Sequence, residues 1–156
     1  MDSDFGYDMD HGLGYRLGLV ATRIKISLRR VFMAAGFDVT PEQWVVLFRL
    51  HQRQGQSQSE LGDRSVKDKT TITRILDRLE HKGLAQRRRD PLDRRSQRIF
   101  LTPGGEAALA ALMPLVHRFA ADTFEDIEPA ERDTVLRVLD GIEAKLDRFH
   151  EPKDTP

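Results

Sequence analysis

Between Ser57 and Thr102 the chain carries punctuation that admits few folds. Two capped helices come in close succession, then a glycine stop, then an arginine-rich hairpin that runs into a third cap. Ser57 and Glu60 form an S-x-x-E capping box, in which each residue satisfies a backbone N–H of the other. The short helix they open has Leu61 as its main apolar anchor and ends near Ser65. Gly62 costs that helix about 1 kcal/mol against alanine, which is tolerable where the next helix crosses closely, as in a helix-turn-helix. Asp68 caps the second helix, Ile72, Ile75, Leu76 and Leu79 recur at helical spacing, and Gly83 stops it.

The other face of that second helix carries Lys69, Thr70, Thr73 and Arg74, with Arg78 a turn further on. Small hydroxyls and cations at a helix N-terminus suit entry into a DNA major groove, where arginine bonds guanine bidentately. An ordinary solvated face has the same composition. The segment after Gly83 favours the first reading. Leu84 to Arg89 and Gln97 to Leu101 read as two strands, joined by a turn over Asp90-Pro91-Leu92-Asp93-Arg94-Arg95-Ser96. This hairpin holds Arg87, Arg88, Arg89, Arg94, Arg95 and Arg98 against only Asp90 and Asp93. Six arginines on a projecting loop repel one another without a counter-anion, and a phosphate backbone or narrow minor groove provides one. The expected fold is mainly α with a small β-hairpin wing: a winged helix-turn-helix plus a helical region.

The formal charge of zero hides a segregation. Residues Thr40 to Thr102 carry 14 Lys and Arg against 8 Asp and Glu, and the remainder 11 against 17. A basic segment set against an acidic remainder suggests a polyanion-facing surface. At 156 residues, 39% hydrophobic and 32% charged, one compact unit is expected. No apolar run reaches the ~20 residues that span a bilayer. The start, MDSDFGYDMDHG, is acidic where a secretory signal is basic and then apolar, so a cytoplasmic location is expected, with no membrane partner. Absence of cysteine excludes disulfides, thiolate metal sites and a thiol-oxidation switch.

The flanks read as helices. From about His11, Leu13, Leu17, Val20, Ile24, Leu28, Val31, Phe32 and Ala35 form one stripe, and Gly36 is a plausible C-cap. A helix so long must pack along several elements or on another subunit. Thr40, Pro41 and Gln43 open the next helix as cap, first residue and capping box, with Trp44, Leu47, Phe48 and His51 at helical spacing, ending near Gly55. After Thr102-Pro103 a helix runs from Glu106 to about Thr123, with Pro114 inside it expected to cause a kink. Glu128-Pro129-Ala130-Glu131 opens the last helix, whose stripe is Val135, Leu136, Val138, Leu139, Ile142, Leu146 and Phe149. That stripe needs cover, from a partner or from the long first helix.

The wing and its junctions resemble a known family. Arg89-Asp90-Pro91-Leu92-Asp93-Arg94-Arg95-Ser96 with Leu101-Thr102-Pro103-Gly104-Gly105 is similar to the wing signature of the MarR (multiple antibiotic resistance regulator) family. Thr40-Pro41-Glu42-Gln43-Trp44 and Leu79-Glu80-His81-Lys82-Gly83-Leu84 extend the likeness over residues 11–150. The resemblance implies a homodimeric transcriptional regulator, expected to be a repressor, on a pseudo-palindromic double-stranded DNA operator. It implies a winged helix-turn-helix over 40–102 and a helical dimerisation region over 11–39 and 103–150, with flexible ends at 1–10 and 151–156. By the same likeness Lys69, Thr70, Thr71, Thr73 and Arg74 face the major groove and Ser57 and Gln58 lie near phosphates. Asp93 braces the wing and orients Arg95 into the minor groove, and Arg78, Arg89, Arg94 and Ser96 complete the expected DNA-binding set. Val66-Lys67-Asp68-Lys69 is more charged than the family's usual approach to this helix, which bears on the target sequence.

Family members often release DNA when a small aromatic or phenolic molecule enters a cleft beside the dimerisation helices. The resemblance makes Tyr15, Arg16, Trp44, Phe48 and His51 ligand candidates, since a cation beside aromatic rings suits an anionic aromatic compound. The same residues fit a plain core. There is no nucleophile elbow, phosphate-cradling glycine loop or metal-ligand spacing, and His11, His51, His81, His117 and His150 are scattered. No enzyme activity, cofactor or metal is expected. Two classes of function stand: an operator-binding regulator, or a winged-helix module whose arginines meet an acidic protein.

Overall fold

A computed structural model describes residues 8–65 and 68–149. Residues 1–7 of the expected flexible segment 1–10, the expected tail 151–156, His150 and the pair Val66-Lys67 lie outside the described residues. The elements in order are helices α1 (Leu13–Ala34) and α2 (Pro41–Gln52), strand β1 (Gln56–Ser57), helices α3 (Gln58–Ser65) and α4 (Lys69–His81), strands β2 (Ala85–Arg89) and β3 (Gln97–Leu101), and helices α5 (Pro103–Phe124) and α6 (Pro129–Leu146). A 3-10 turn, Asp147–Phe149, comes after α6. The chain is mainly helical, as expected, and falls into two compact units, residues 1–119 and 120–156.

The first unit is built on the predicted punctuation. Thr40 and Gln43 close a full capping box at the start of α2. Gly36, Gly55 and Gly83 have positive φ, the left-handed conformation that glycine adopts without steric cost. Gly83 lets the chain leave α4 and enter β2, and Leu84 N–H returns to the Leu79 carbonyl at 2.9 Å. One core joins the elements: Leu28 and Phe32 of α1, Val46, Leu47 and Leu50 of α2, Leu61 of α3, the four predicted positions of α4, Ile99 and Leu101 of β3, and Leu109 and Leu112 of α5.

Three expectations change. The sheet has three strands in the order β1-β3-β2, because Gln56 and Ser57 pair antiparallel with Ile99 and Arg98. A two-residue strand is too short to leave a detectable alternation in the sequence. On α2 the buried face is Val46, Leu47 and Leu50; Trp44 and Phe48 are half-buried and His51 is exposed. Helix α5 begins at Pro103, the first helical position that the Thr102-Pro103 cap gives, and contains Pro114 on its way to Phe124. Gly62 is not required by close crossing, since a Cβ there meets Ile72 Cγ2 at 3.8 Å, an ordinary contact. The tight glycine is Gly105, whose added Cβ lies 2.0 Å from the Leu84 carbonyl oxygen.

Asp38 ties three elements of the first unit. It accepts from Arg29 Nη2 at 2.7 Å, and Lys82, the C-cap of α4, reaches its carboxylate and its backbone carbonyl. The Arg29 hydrogen bond, then the Lys82 charge, hold its carboxyl below the ordinary range.

The second unit contains the end of α5, α6 and the 3-10 turn. Glu131 accepts the N–H of Glu128 at 3.1 Å at the start of α6, as its sequence suggests. No residue of α6 is buried, and Val135, Leu136, Val138 and Leu146 are exposed. No helix among the described residues is long and apolar enough to cross a membrane.

Candidate nucleic-acid interface

The site grows from two adjacent helix starts. Ser57 N–H donates to Glu60 at 2.8 Å, and Glu60 N–H donates to Ser57 Oγ at 3.2 Å. The Ser57 N–H is the main reason the Glu60 carboxyl sits below its ordinary range. At the start of α4, Asp68 accepts from the Thr71 hydroxyl and from its N–H, both at 2.7 Å. These bonds, the hydroxyl first, lower the Asp68 carboxyl. Asp68 is therefore an ionised cap at neutral pH, and Thr71 is turned back toward it.

Burial of Ile72, Ile75, Leu76 and Leu79 fixes which side of α4 faces out. Lys69, Thr70, Thr73, Arg74 and Asp77 line a shallow depression along that side, and Arg78 is exposed beyond it. The Thr73 hydroxyl donates to the Lys69 carbonyl at 2.8 Å and accepts from Gln58 Nε2. Gln58 and Thr73 are thus one unit across α3 and α4, a link that no spacing in the sequence discloses. Between these helix starts and the wing lies an open groove of about 550 Å³ lined by Ser57, Gln58, Ser59, Lys69, Arg95 and Ser96, among others. Hydroxyls, Lys69 and Arg95 along this groove, set against the single capping carboxylate of Asp68, leave it a net cationic lining.

The wing corrects the arginine count. Arg87 is largely covered and pairs with Asp77 at 2.7 Å and Glu80 at 2.6 Å, clamping β2 to α4. Arg98 donates to Asp90 at 2.7 Å and to the Gly55 carbonyl at 3.0 Å. Arg88 lies over the Phe100 ring at 4.7 Å. Two of the six arginines expected to need an external anion find a carboxylate inside the fold, because β2 packs on α4 and the hairpin brings Arg98 to Asp90, while Arg88 has only an aromatic ring. Arg89, Arg94 and Arg95 make no ion pair among the described residues, and neither do Lys69, Arg74 and Arg78. The charge of Arg74 does reach Asp68.

Two acids hold the wing. The family likeness implies that Asp93 braces the wing and orients Arg95; its carboxylate accepts the backbone N–H of Arg95 at 3.0 Å. Asp90 makes the arginine pair, and it is buried. The Leu92 N–H, then the Arg98 guanidinium, hold its carboxyl below the ordinary range. The signal is present as Asp-Pro at a turn start, where an Asp side chain characteristically accepts the N–H two residues on.

Of the ligand candidates, Trp44 and Phe48 stack with centroids 5.8 Å apart, and Trp44 Nε1 is buried without a hydrogen-bond partner. His51 Nδ1 meets Glu106 at 2.9 Å. Tyr15 and Arg16 are exposed near the start of α1, and no hydrogen bond or ion pair among the described residues joins them to the other three. No cluster of His, Asp and Glu among the described residues has the geometry to hold a metal ion.

The chain has relatives in sequence and in structure. A model of the MarR family matches residues 39–97. The transcriptional regulator HosA of Escherichia coli O111:H- is 36% identical over 78 residues, spanning 50% of this chain and 58% of that relative. The transcriptional repressor CouR, solved bound to a 23-mer DNA duplex, superposes with TM-score 0.77 at 32% identity, covering 86% of this chain and 94% of CouR. BpsR of Bordetella bronchiseptica, whose DNA binding is regulated by 6-hydroxynicotinic acid, gives TM-score 0.79 at 25% identity, covering 88% and 96%. A mutant MarR from E. coli in complex with operator DNA gives 0.76 at 26%, covering 83% and 92%.

Proposed function

The chain belongs to the MarR family, and from that premise we propose that it is a double-stranded DNA-binding transcriptional regulator, a homodimeric repressor acting on an operator in the cytoplasm. The observation that carries this reading is the sorting of its cations. Arg87 and Arg98 are ion-paired within the fold and Arg88 lies over Phe100, while Lys69 and Arg95 on the groove, Arg74 in the neighbouring depression, and Arg89 and Arg94 on the wing make no ion pair among the described residues. A phosphate backbone supplies the missing anions. In this reading Lys69, Thr70, Thr73, Arg74 and Arg78 address the major groove, with Thr71 completing the cap. Ser57 and Gln58 lie by the backbone, and Arg89, Asp93, Arg94, Arg95 and Ser96 form the wing contact with the minor groove. DNA complexes of CouR and MarR support it.

Two copies are inferred from the exposed apolar stripe of α6, which a second chain's helices cover; a two-fold dimer reads a pseudo-palindrome. Release by a small aromatic or phenolic acid is proposed by analogy with BpsR, with Tyr15, Arg16, Trp44, Phe48 and His51 as the candidate pocket. The test is a duplex-binding titration as salt is raised. Tight binding to a palindromic site that falls steeply with salt supports the proposal. An absence of binding to any duplex, with retained capture by an acidic protein, replaces it with the protein-contact module. A thermal-shift screen of aromatic acids, with a DNA-release assay on each hit, tests the effector.

A further inference from the structure

The wing ends in an apolar side chain held out into solvent. Leu92 is 93% exposed, against 69% for Phe149, the next among the large exposed hydrophobics. A lone exposed leucine is ordinary on a protein surface; a pinned one at a cationic tip is not. Pro91 precedes it and fixes its own φ. Asp90 accepts the Leu92 N–H at 2.9 Å with one oxygen and holds Arg98 at 2.7 Å with the other. Behind the tip, Asp90 N–H donates to the Ser96 carbonyl at 3.0 Å, and Ser96 N–H to the Asp93 carbonyl at 2.9 Å. The backbone is held at both ends of the loop while the side chain points into water.

The surroundings of this leucine select its occupant. Arg89, Arg94 and Arg95 lie within three residues of it on the wing and make no ion pair among the described residues, while the exposed Asp93 beside it accepts the Arg95 N–H. An apolar centre with three cations against that one exposed acid matches a DNA minor groove, whose edges are phosphates and whose walls are the C–H faces of deoxyribose. That groove is about 6 Å wide, and apolar side chains of minor-groove proteins contact its interior.

We infer that Leu92 enters the minor groove beside Arg95 and packs against the deoxyribose walls, so that the wing gauges groove width by apolar contact as well as by charge. This rests on the DNA-binding reading above. A narrow groove closes on both sides of the leucine; a wide one leaves it wet. The side chain carries no charge, so its contact adds affinity without releasing a counterion, which separates it from its arginine neighbours.

The experiment compares the full wild-type chain with Leu92→Ala and Leu92→Gln on the duplex that wild type selects from a random pool. Affinity is measured across salt, with thermal unfolding and hydroxyl-radical footprinting of the minor-groove sugars. Both variants are expected to bind about fivefold to tenfold more weakly at every salt concentration, the range expected for partial burial of a leucine. Salt slope and Tm are unchanged, and protection is lost at the sugars facing the two wings. Wild-type affinity and an intact footprint in both variants overturn the inference, including the case where they instead lose a protein partner. If wild type selects no duplex at low salt, the DNA-binding reading itself falls first, and this one with it.

Discussion

Arg98 Nε donates to Asp90 Oδ2 at 2.7 Å across the base of the wing, and Asp90 uses its other oxygen to accept the N–H of Leu92. One buried carboxylate thereby sets both the strand and the tip. Its folded pKa lies below the ordinary value of 3.8. A depressed carboxylate contributes stability that is present above its unfolded value and is lost as pH falls through the lower folded one. Asp90→Asn is expected to flatten the acid limb of stability below about pH 5, and to weaken duplex binding at pH 7 by loosening the tip. Urea midpoints across that range, with matched binding curves, measure both effects. An unaltered acid limb shows that Asp90 and Arg98 are not coupled in solution.

Arg87 is a structural arginine, clamped by Asp77 and Glu80. Arg87→Ala is expected to lower stability by about 1–2 kcal/mol, the range for charged hydrogen bonds discounted for the exposure of both carboxylates. Its salt slope for DNA should stay near wild type, while Asp77 and Glu80, left unpaired, add repulsion. A slope reduced by a full unit identifies Arg87 as a phosphate contact instead.

Arg95 lines the groove between the helix starts and the wing. Arg95→Ala is expected to reduce the salt slope by about 1 and to weaken sites with A·T-rich flanks most, since narrow minor grooves concentrate negative potential. Equal losses on A·T-rich and G·C-rich flanks remove groove width from its role.

Arg74 stands on the outer face of α4 beside Lys69 and Thr70. If it bonds guanine, Arg74→Ala costs about 1–3 kcal/mol on the preferred site and relaxes one position of the operator. A selection experiment on randomised half-sites reads this directly. Uniform weakening on specific and random DNA assigns Arg74 to phosphate alone.

Gly105 and Gly62 make an opposed pair. A Cβ on Gly105 lies 2.0 Å from the Leu84 carbonyl oxygen, so backbone must move at the junction of wing and α5. Gly105→Ala is expected to destabilise by about 3 kcal/mol, the upper end for overpacking, because the clash is with backbone. Among the described residues Gly62→Ala meets only Ile72 Cγ2 at 3.8 Å and gains up to about 1 kcal/mol of helix propensity. Chemical denaturation of the two variants decides, and a stable Gly105→Ala shows that the α5 start can shift.

Local chemistry is legible in the chain because it is written in neighbours. The caps at Thr40, Ser57 and Asp68 each bond a partner three residues on, so residue type and spacing alone locate the helix starts. The inward stripe of α4 and the glycine at 83 are local in the same sense. Near neighbours therefore suffice for the helix-turn-helix, the order of the helices and the cationic wing.

Pairing between distant residues is not legible in that way. Arg87 to Asp77 and Glu80, Gln58 to Thr73, Arg98 to Gly55 and β1 to β3 all join separate elements. Which arginines remain for a polyanion is set by that register, because a charge count weighs each arginine alike while packing neutralises some and exposes others. That Asp90 rather than Asp93 carries the arginine pair, and that Leu92 is the residue the wing presents, emerges only once the strands are paired. A side chain's partners depend on which backbones the fold brings within about 3 Å.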